Sequence, residues 1–197
     1  MLILASKSAV RQHLLTQAGL AFSVQSAAVD ERLLGEGVTS SASAVARHLA
    51  GAKALAVSAQ FPKAIVIGAD QTLALAGKAF HKPTSLKEAK AQLAELRGNT
   101  HDLCAGVALA QNGKLLWDHV AAARLTMRAF TDSERDHILE LEGEEILACV
   151  GAYRLEGPSV QLFERIEGDY FSILGLPLLP LLAALRHHAP DLFETRS

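Results

Sequence analysis

The sequence predicts an α/β fold on a mixed sheet. Three features carry that expectation: short apolar runs alternating with stretches of helical periodicity, an Asn-Gly turn between two long apolar segments, and no internal repeats. Residues 2–5, Leu-Ile-Leu-Ala, read as a buried first strand, with Ser6-Lys7-Ser8 as turn and helix cap. Leu14, Leu15 and Ala18 follow at helical spacing until Gly19 stops the helix. Phe22-Ser23-Val24 reads as a second strand, leading through Val29-Asp30-Glu31 into a loop rich in Gly and Ser. Val45, Leu49, Ala52 and Leu55 mark a helix over residues 43–58. Residues 64–68, Ala-Ile-Val-Ile-Gly, are β-branched and predict a central strand ending at Asp70. Residues 86–96 are helical, closed by Gly98-Asn99. Strands over 103–110 and 115–127 flank the hairpin signal Gln111-Asn112-Gly113-Lys114. Thr131-Asp132-Ser133-Glu134 is a capping box opening a helix to Leu141. A Gly-rich stretch over 150–168, a strand near 171–174 and a helix after Pro177 complete the chain. Residues 189–197 are expected to form a loose tail in which Leu192-Phe193 can dock.

A chain of 197 residues with 50% apolar and 20% charged residues fits one domain, or two small lobes sharing a cleft, and excludes a disordered chain. Lys+Arg total 19 against 21 for Asp+Glu, so no basic stripe is available for duplex nucleic acid. Aromatics at 5% exclude a base-stacking platform, although a local basic pocket for one small polyanion remains open. Cys104 and Cys149 sit in apolar runs without CxxC spacing and read as core thiols. The N-terminus lacks the cationic start of a signal peptide. Prolines at 177 and 180 interrupt the apolar segment 173–185, which falls short of the roughly 20 residues of a membrane span. A soluble, cytoplasmic protein without a membrane partner is expected. Neither HExxH nor GxSxG occurs, so a zinc site and a serine hydrolase are poor fits.

Polar residues placed where apolar elements stop are the candidates for chemistry, because ligands bind at the carboxyl ends of strands in α/β folds. Ser6-Lys7-Ser8-Ala9-Val10-Arg11 combines hydroxyls and cations at a strand-to-helix turn suited to a phosphate; the competing reading is a simple cap with solvated cations. Asp30, Glu31 and Asp70 offer carboxylates from separate segments, the arrangement Mg²⁺ needs to bridge phosphate oxygens. A solvated charge is the alternative for Asp30 and Glu31, and a turn cap for Asp70. Lys53 lies among small residues on an amphipathic helix, where a surface side chain is the plain reading, whereas Lys82 is more suggestive because Pro83 fixes the local backbone. With Arg11 these lysines could neutralise a triphosphate.

In order along the chain, Leu2-Ile-Leu-Ala-Ser-Lys-Ser-Ala-Val-Arg11, Val29-Asp30-Glu31, Ala52-Lys53-Ala54, Gly68-Ala69-Asp70-Gln71 and Lys82-Pro83 resemble the motifs of the Maf nucleoside triphosphate pyrophosphatases. So do Gly98-Asn-Thr-His101, Gly151-Ala-Tyr-Arg-Leu-Glu-Gly157, Phe163-Glu-Arg-Ile-Glu-Gly-Asp169 and Gly175-Leu-Pro-Leu178. The resemblance spans residues 2 to about 186. It implies a mixed twisted sheet in two lobes around a central cleft, similar to inosine triphosphate pyrophosphatases. It also implies metal-dependent hydrolysis of a nucleoside triphosphate to the monophosphate and pyrophosphate. Asp70 would accept the proton of the attacking water, Glu31 and Asp70 would hold Mg²⁺, Mn²⁺ or Co²⁺, and Ser6, Arg11, Lys53 and Lys82 would hold phosphates. Homodimerisation is expected by the same analogy.

Ala9-Val10 replace the Pro and first Arg of the family's usual Ser-x-Ser-Pro-Arg-Arg. Gln71 and Glu156 stand where members acting on dTTP and UTP usually carry Thr and Gln. That pairing resembles the branch acting on 7-methyl-GTP, which carries an aromatic residue at the position of Val10. A Glu156 carboxylate can accept from the N1–H and N2 amine of guanine, whereas the two carbonyls of uracil or thymine prefer an amide. Specificity therefore leans towards 7-methyl-GTP and depends on Val10, Gln71 and Glu156. The alternative is a regulator of septum formation acting by binding nucleotide or protein.

Overall fold

The computed structural model describes residues 1–27, 29 and 41–193, and in it the expected alternation folds into one mixed sheet. Its strands in chain order are β1 (Leu2–Leu4), β2 (Ser23–Val24), β3 (Ile65–Leu75), β4 (Lys78–Phe80), β5 (Thr100–Gln111), β6 (Lys114–Met127) and β7 (Phe163–Glu167). Their order across the sheet is β2-β1-β3-β5-β6-β7, with β4 an added antiparallel partner of β3. β1 runs parallel to β2 and β3, and the remaining pairs are antiparallel. The helices among the described residues are α1 (Ala9–Gln17), α2 (Ala42–Gln60), α3 (Leu86–Leu96), α4 (Asp132–Glu142), α5 (Tyr170–Ile173) and α6 (Leu178–His188).

Local chemistry explains most of these boundaries. Asn112 and Gly113 have φ of 50° and 71°, the two left-handed residues that let a tight turn match the twist of β5 and β6. At the start of α4, Thr131 N donates to the Glu134 carboxylate at 2.6 Å while Glu134 N donates to Thr131 Oγ1 at 3.2 Å. Ser8 caps α1 by accepting from Arg11 N.

Two expectations are corrected. β3 does not end at Asp70: β1 stops pairing at Leu4↔Ile67, but β5 continues to pair with β3 as far as Ala74↔Asp102, so Asp70 lies in mid-strand. The strand expected near 171–174 is instead helix α5, because the Asp169 carboxylate accepts from Ser172 N at 2.8 Å and caps a helical turn. The neighbouring strand is β7, whose mostly exposed, charge-rich residues pair only with the end of β6.

Two large apolar clusters share the sheet. One gathers Leu73, Leu93, Leu96, Leu125, Phe130 and Leu162; the other gathers Leu4, Leu15, Ile67, Ala69, Leu109 and Leu181. Along β3 the second cluster ends at Ala69 and the first begins at Leu73, so Asp70, Gln71 and Thr72 occupy the seam. Across β3 and β5, α2 lies exceptionally close. A Cβ on Gly68 would stand 2.1 Å from the Ala50 carbonyl oxygen, and one on Gly106 would stand 2.3 Å from that of Ala46. Ala46, Ala50 and Ala54, all fully buried, form the matching row on the helix.

Candidate active site

Successive side chains of a strand point to opposite faces, so Asp70 and Gln71 serve different surroundings. Asp70 faces α2. There Lys53 Nζ meets Asp70 Oδ1 at 2.6 Å, with the two side chains 8% and 9% exposed. The surface reading of Lys53 is thereby corrected: the glycine-alanine contact brings α2 near enough for Lys53 to lie buried along the sheet. Thr72, two residues on, fastens the same face by donating from Oγ1 to the Ala42 carbonyl at 2.9 Å.

On the opposite face Gln71 Nε2 donates to the Ile173 carbonyl at 2.8 Å and braces β3 against α5. Arg11 is buried beside it. Arg11 Nε donates to the Gly175 carbonyl at 2.8 Å, and Nη1 donates to the Ala69 carbonyl at 3.0 Å and to Ser6 Oγ at 3.1 Å. Gly175 has φ of 95°, and a Cβ there would press to 3.4 Å on both Arg11 and Gln71 Oε1. Ser6 and Arg11 are thus in contact, and the fold engages Arg11 through Nε and Nη1. Val10 is half-buried on the first turn of α1, and Lys7 is exposed. Asp30 and Glu31 lie outside the described residues.

Lys82 is exposed ahead of the buried Pro83, and Glu156 lies on the loop between Gly151 and Gly157. Their charges converge on Cys149, which is half-buried rather than a core thiol. Burial pushes the thiol up to about 11, Glu156 adds to the rise, Lys82 opposes it, and Glu142 and Arg11 act in the same two senses more weakly.

Sequence reasoning missed the residues that hold this loop. Glu142, at the end of α4, accepts from Ser159 N at 2.8 Å and Ser159 Oγ at 2.6 Å. His101 Nε2 bonds Tyr153 Oη at 2.9 Å, with both rings buried and Phe163 packed against them. The signal was present in the motifs Gly98-Asn-Thr-His101 and Gly151-Ala-Tyr153, but nothing in one sequence pairs them. Burial lowers His101 to about 4 against an ordinary 6.5, partly offset by the charge of Asp102. The unfolded chain therefore binds this proton more tightly, and folded stability is lost as pH falls from 6.5 towards 4. Urea unfolding is expected to show about 3 kcal/mol of that acid-side loss in the native protein and to lack it in His101→Phe.

Among the described residues no three His, Cys, Asp or Glu side chains gather as a ligand set. Asp70 supplies one hard carboxylate, and Mg²⁺ commonly takes only one or two carboxylates together with substrate phosphates. At the seam that carboxylate already meets Lys53 Nζ through Oδ1.

The Maf-like protein family model matches residues 1–188. The chain belongs to the Maf-like family. Among its relatives, a 7-methyl-GTP pyrophosphatase of Rhizobium meliloti (strain 1021) is 48% identical over 189 residues, covering 94% of this chain and 95% of its own length. A 7-methyl-GTP pyrophosphatase of Brucella suis biovar 1 (strain 1330) is 50% identical over 188 residues, 94% of each chain. A nucleoside triphosphate pyrophosphatase of Bradyrhizobium diazoefficiens is 50% identical over 186 residues, covering 94% of this chain and 92% of its own. No described helix of this Maf-like protein is long and apolar enough to cross a membrane.

Proposed function

We propose that this Maf-like protein hydrolyses a nucleoside triphosphate at the α-phosphorus, releasing pyrophosphate and leaving the nucleoside monophosphate, with 7-methyl-GTP as the preferred substrate. The observation that carries the reading is the buried Lys53–Asp70 pair at the seam of the two apolar clusters. The clusters support a division into two lobes with the substrate between them. The names of the relatives from Rhizobium and Brucella support the choice of nucleotide.

In the reaction, water attacks the α-phosphorus, the bond to the oxygen bridging the α- and β-phosphates breaks, and pyrophosphate leaves. Asp70 is assigned the proton that the water loses. Lys53, held on the same carboxylate, fixes its orientation and adds positive charge beside the phosphates. Arg11 holds the turn after β1 and contributes its field, while Ser6 and the exposed Lys82 bind phosphate oxygens. Asp70 and Glu31 would hold a divalent metal, which would supply positive charge to offset that of the leaving pyrophosphate. Glu156 accepts from the guanine edge, and the cationic 7-methylated base strengthens that contact. Val10 and Gln71 shape the pocket, Gln71 by its brace to α5.

Pyrophosphate release across dTTP, UTP, CTP, GTP and 7-methyl-GTP with Mg²⁺, Mn²⁺ or Co²⁺ tests the reading. Release is expected to be fastest with 7-methyl-GTP, to stop on chelation and to return with the metal. No release from folded protein with any nucleotide overturns the hydrolase reading in favour of a nucleotide-binding regulator.

A further inference from the structure

Arg154 stands among three carboxylates of unequal freedom. Its Nε lies 3.6 Å from Glu142 Oε2 and 3.8 Å from Glu156 Oε1, and its Nη1 pairs with Glu145. Glu145 is largely exposed and constrains little. Glu142 is fixed: its side chain is 1% exposed, and its Oε1 receives both Ser159 donors. Gly157 admits it, since a Cβ at that position would stand 2.7 Å from Glu142 Oε1. Glu142 Oε2 has no hydrogen bond among the described residues and faces Arg154 as an ion-pair partner.

A buried carboxylate anchored on α4 thus meets the guanidinium at Nε, and Glu156 meets it at the same nitrogen. Separations of 3.6 and 3.8 Å are ionic contacts longer than hydrogen bonds. The guanidinium can therefore restrain the Glu156 carboxylate while leaving its acceptor sites for a ligand. Without that restraint a loop glutamate loses its rotamer freedom only when the ligand arrives, and binding bears that cost.

We infer that Arg154, braced on Glu142, is a positioning residue that sets base preference by holding Glu156 in place before the nucleotide binds. This rests on Glu156 being the acceptor for the guanine edge. Arg154 touches no reacting atom, so its effect falls on binding of the base and not on the chemical step.

Steady-state kinetics with 7-methyl-GTP and UTP test it. For Arg154→Gln, the KM for 7-methyl-GTP is expected to rise about tenfold with kcat within about twofold, and the kcat/KM preference over UTP to fall about tenfold. Arg154→Lys recovers part of the preference. Glu142→Gln, which retains an acceptor for Ser159 but not the charge facing Arg154, moves the preference in the same direction. In a Glu156→Ala background, Arg154→Gln adds nothing further. Unchanged KM and preference in Arg154→Gln, with only a lower melting temperature, overturns the inference, as does an undiminished effect in the Glu156→Ala background. Should Arg154→Gln fail to fold, Arg154→Lys and Glu142→Gln carry the same comparison. If Glu156→Ala itself leaves the preference unchanged, the base-reading role of Glu156 falls first and the inference with it.

Discussion

Asp70→Asn is expected to reduce kcat by about 10³-fold or more while the protein stays folded. The carboxamide has nearly the same shape, and its oxygen can still accept from Lys53 Nζ, now 2.6 Å from Asp70 Oδ1. It cannot take a proton from water. Pyrophosphate release and a thermal melt on the same preparation separate the two effects. A folded variant that keeps more than about a tenth of the native rate removes Asp70 from the proton-accepting role. Asp70→Leu is the harsher change, because it removes the acceptor as well as the charge that Lys53 meets, and it costs about 3–5 kcal/mol of stability.

Gly68→Ala is expected to cost at least about 3 kcal/mol, an unusually large effect for one added methyl group. The new Cβ would lie 2.1 Å from the Ala50 carbonyl oxygen and 2.7 Å from Ala54 N, and backbone cannot rotate aside as a flexible side chain can. The helix must move off the sheet, carrying Lys53 away from Asp70, so activity falls together with stability. Urea denaturation against Gly51→Ala makes the comparison internal. Gly51 lies in the same helix, but its added Cβ meets only Leu115 Cδ1 at 4.0 Å. That substitution is expected to stabilise by up to about 1 kcal/mol through helix propensity. Equal effects at the two glycines would show that the α2–β3 approach is not what limits substitution.

Features encoded by near neighbours were legible in the sequence. The Asn112-Gly113 turn, the Thr131–Glu134 capping box and helix 86–96 each depend on residues within a few positions of one another. The length of β3 was not legible, because Asp70 and Gln71 together look like a strand end. Each is in fact housed on its own face, one by Lys53 and the other by the Ile173 carbonyl. Burial of Lys53 depends on Gly68 and Gly106, which lie on two strands remote in sequence from α2. β7 escaped because its charged side chains hide the strand pattern, whereas the Asp169–Ser172 cap of α5 was a local signal that could have been read. The motif residues Ser6, Arg11, Lys53, Asp70 and Gln71 were identifiable, but their division between two faces of the sheet belongs to the tertiary structure alone.

The order of strands across the sheet has a kinetic consequence. β5 and β6 are joined by a tight local turn and can zip together within microseconds, offering an early template. β1, from the start of the chain, must then find the far side of β3 across a long loop and pair in parallel, a slower closure. Arg11 can reach Gly175 and Ala69 only after that step, and Lys53 can reach Asp70 only once α2 has docked. The Arg11 side of the site therefore closes after the Lys53–Asp70 side, whose partners stand only 17 residues apart in the chain.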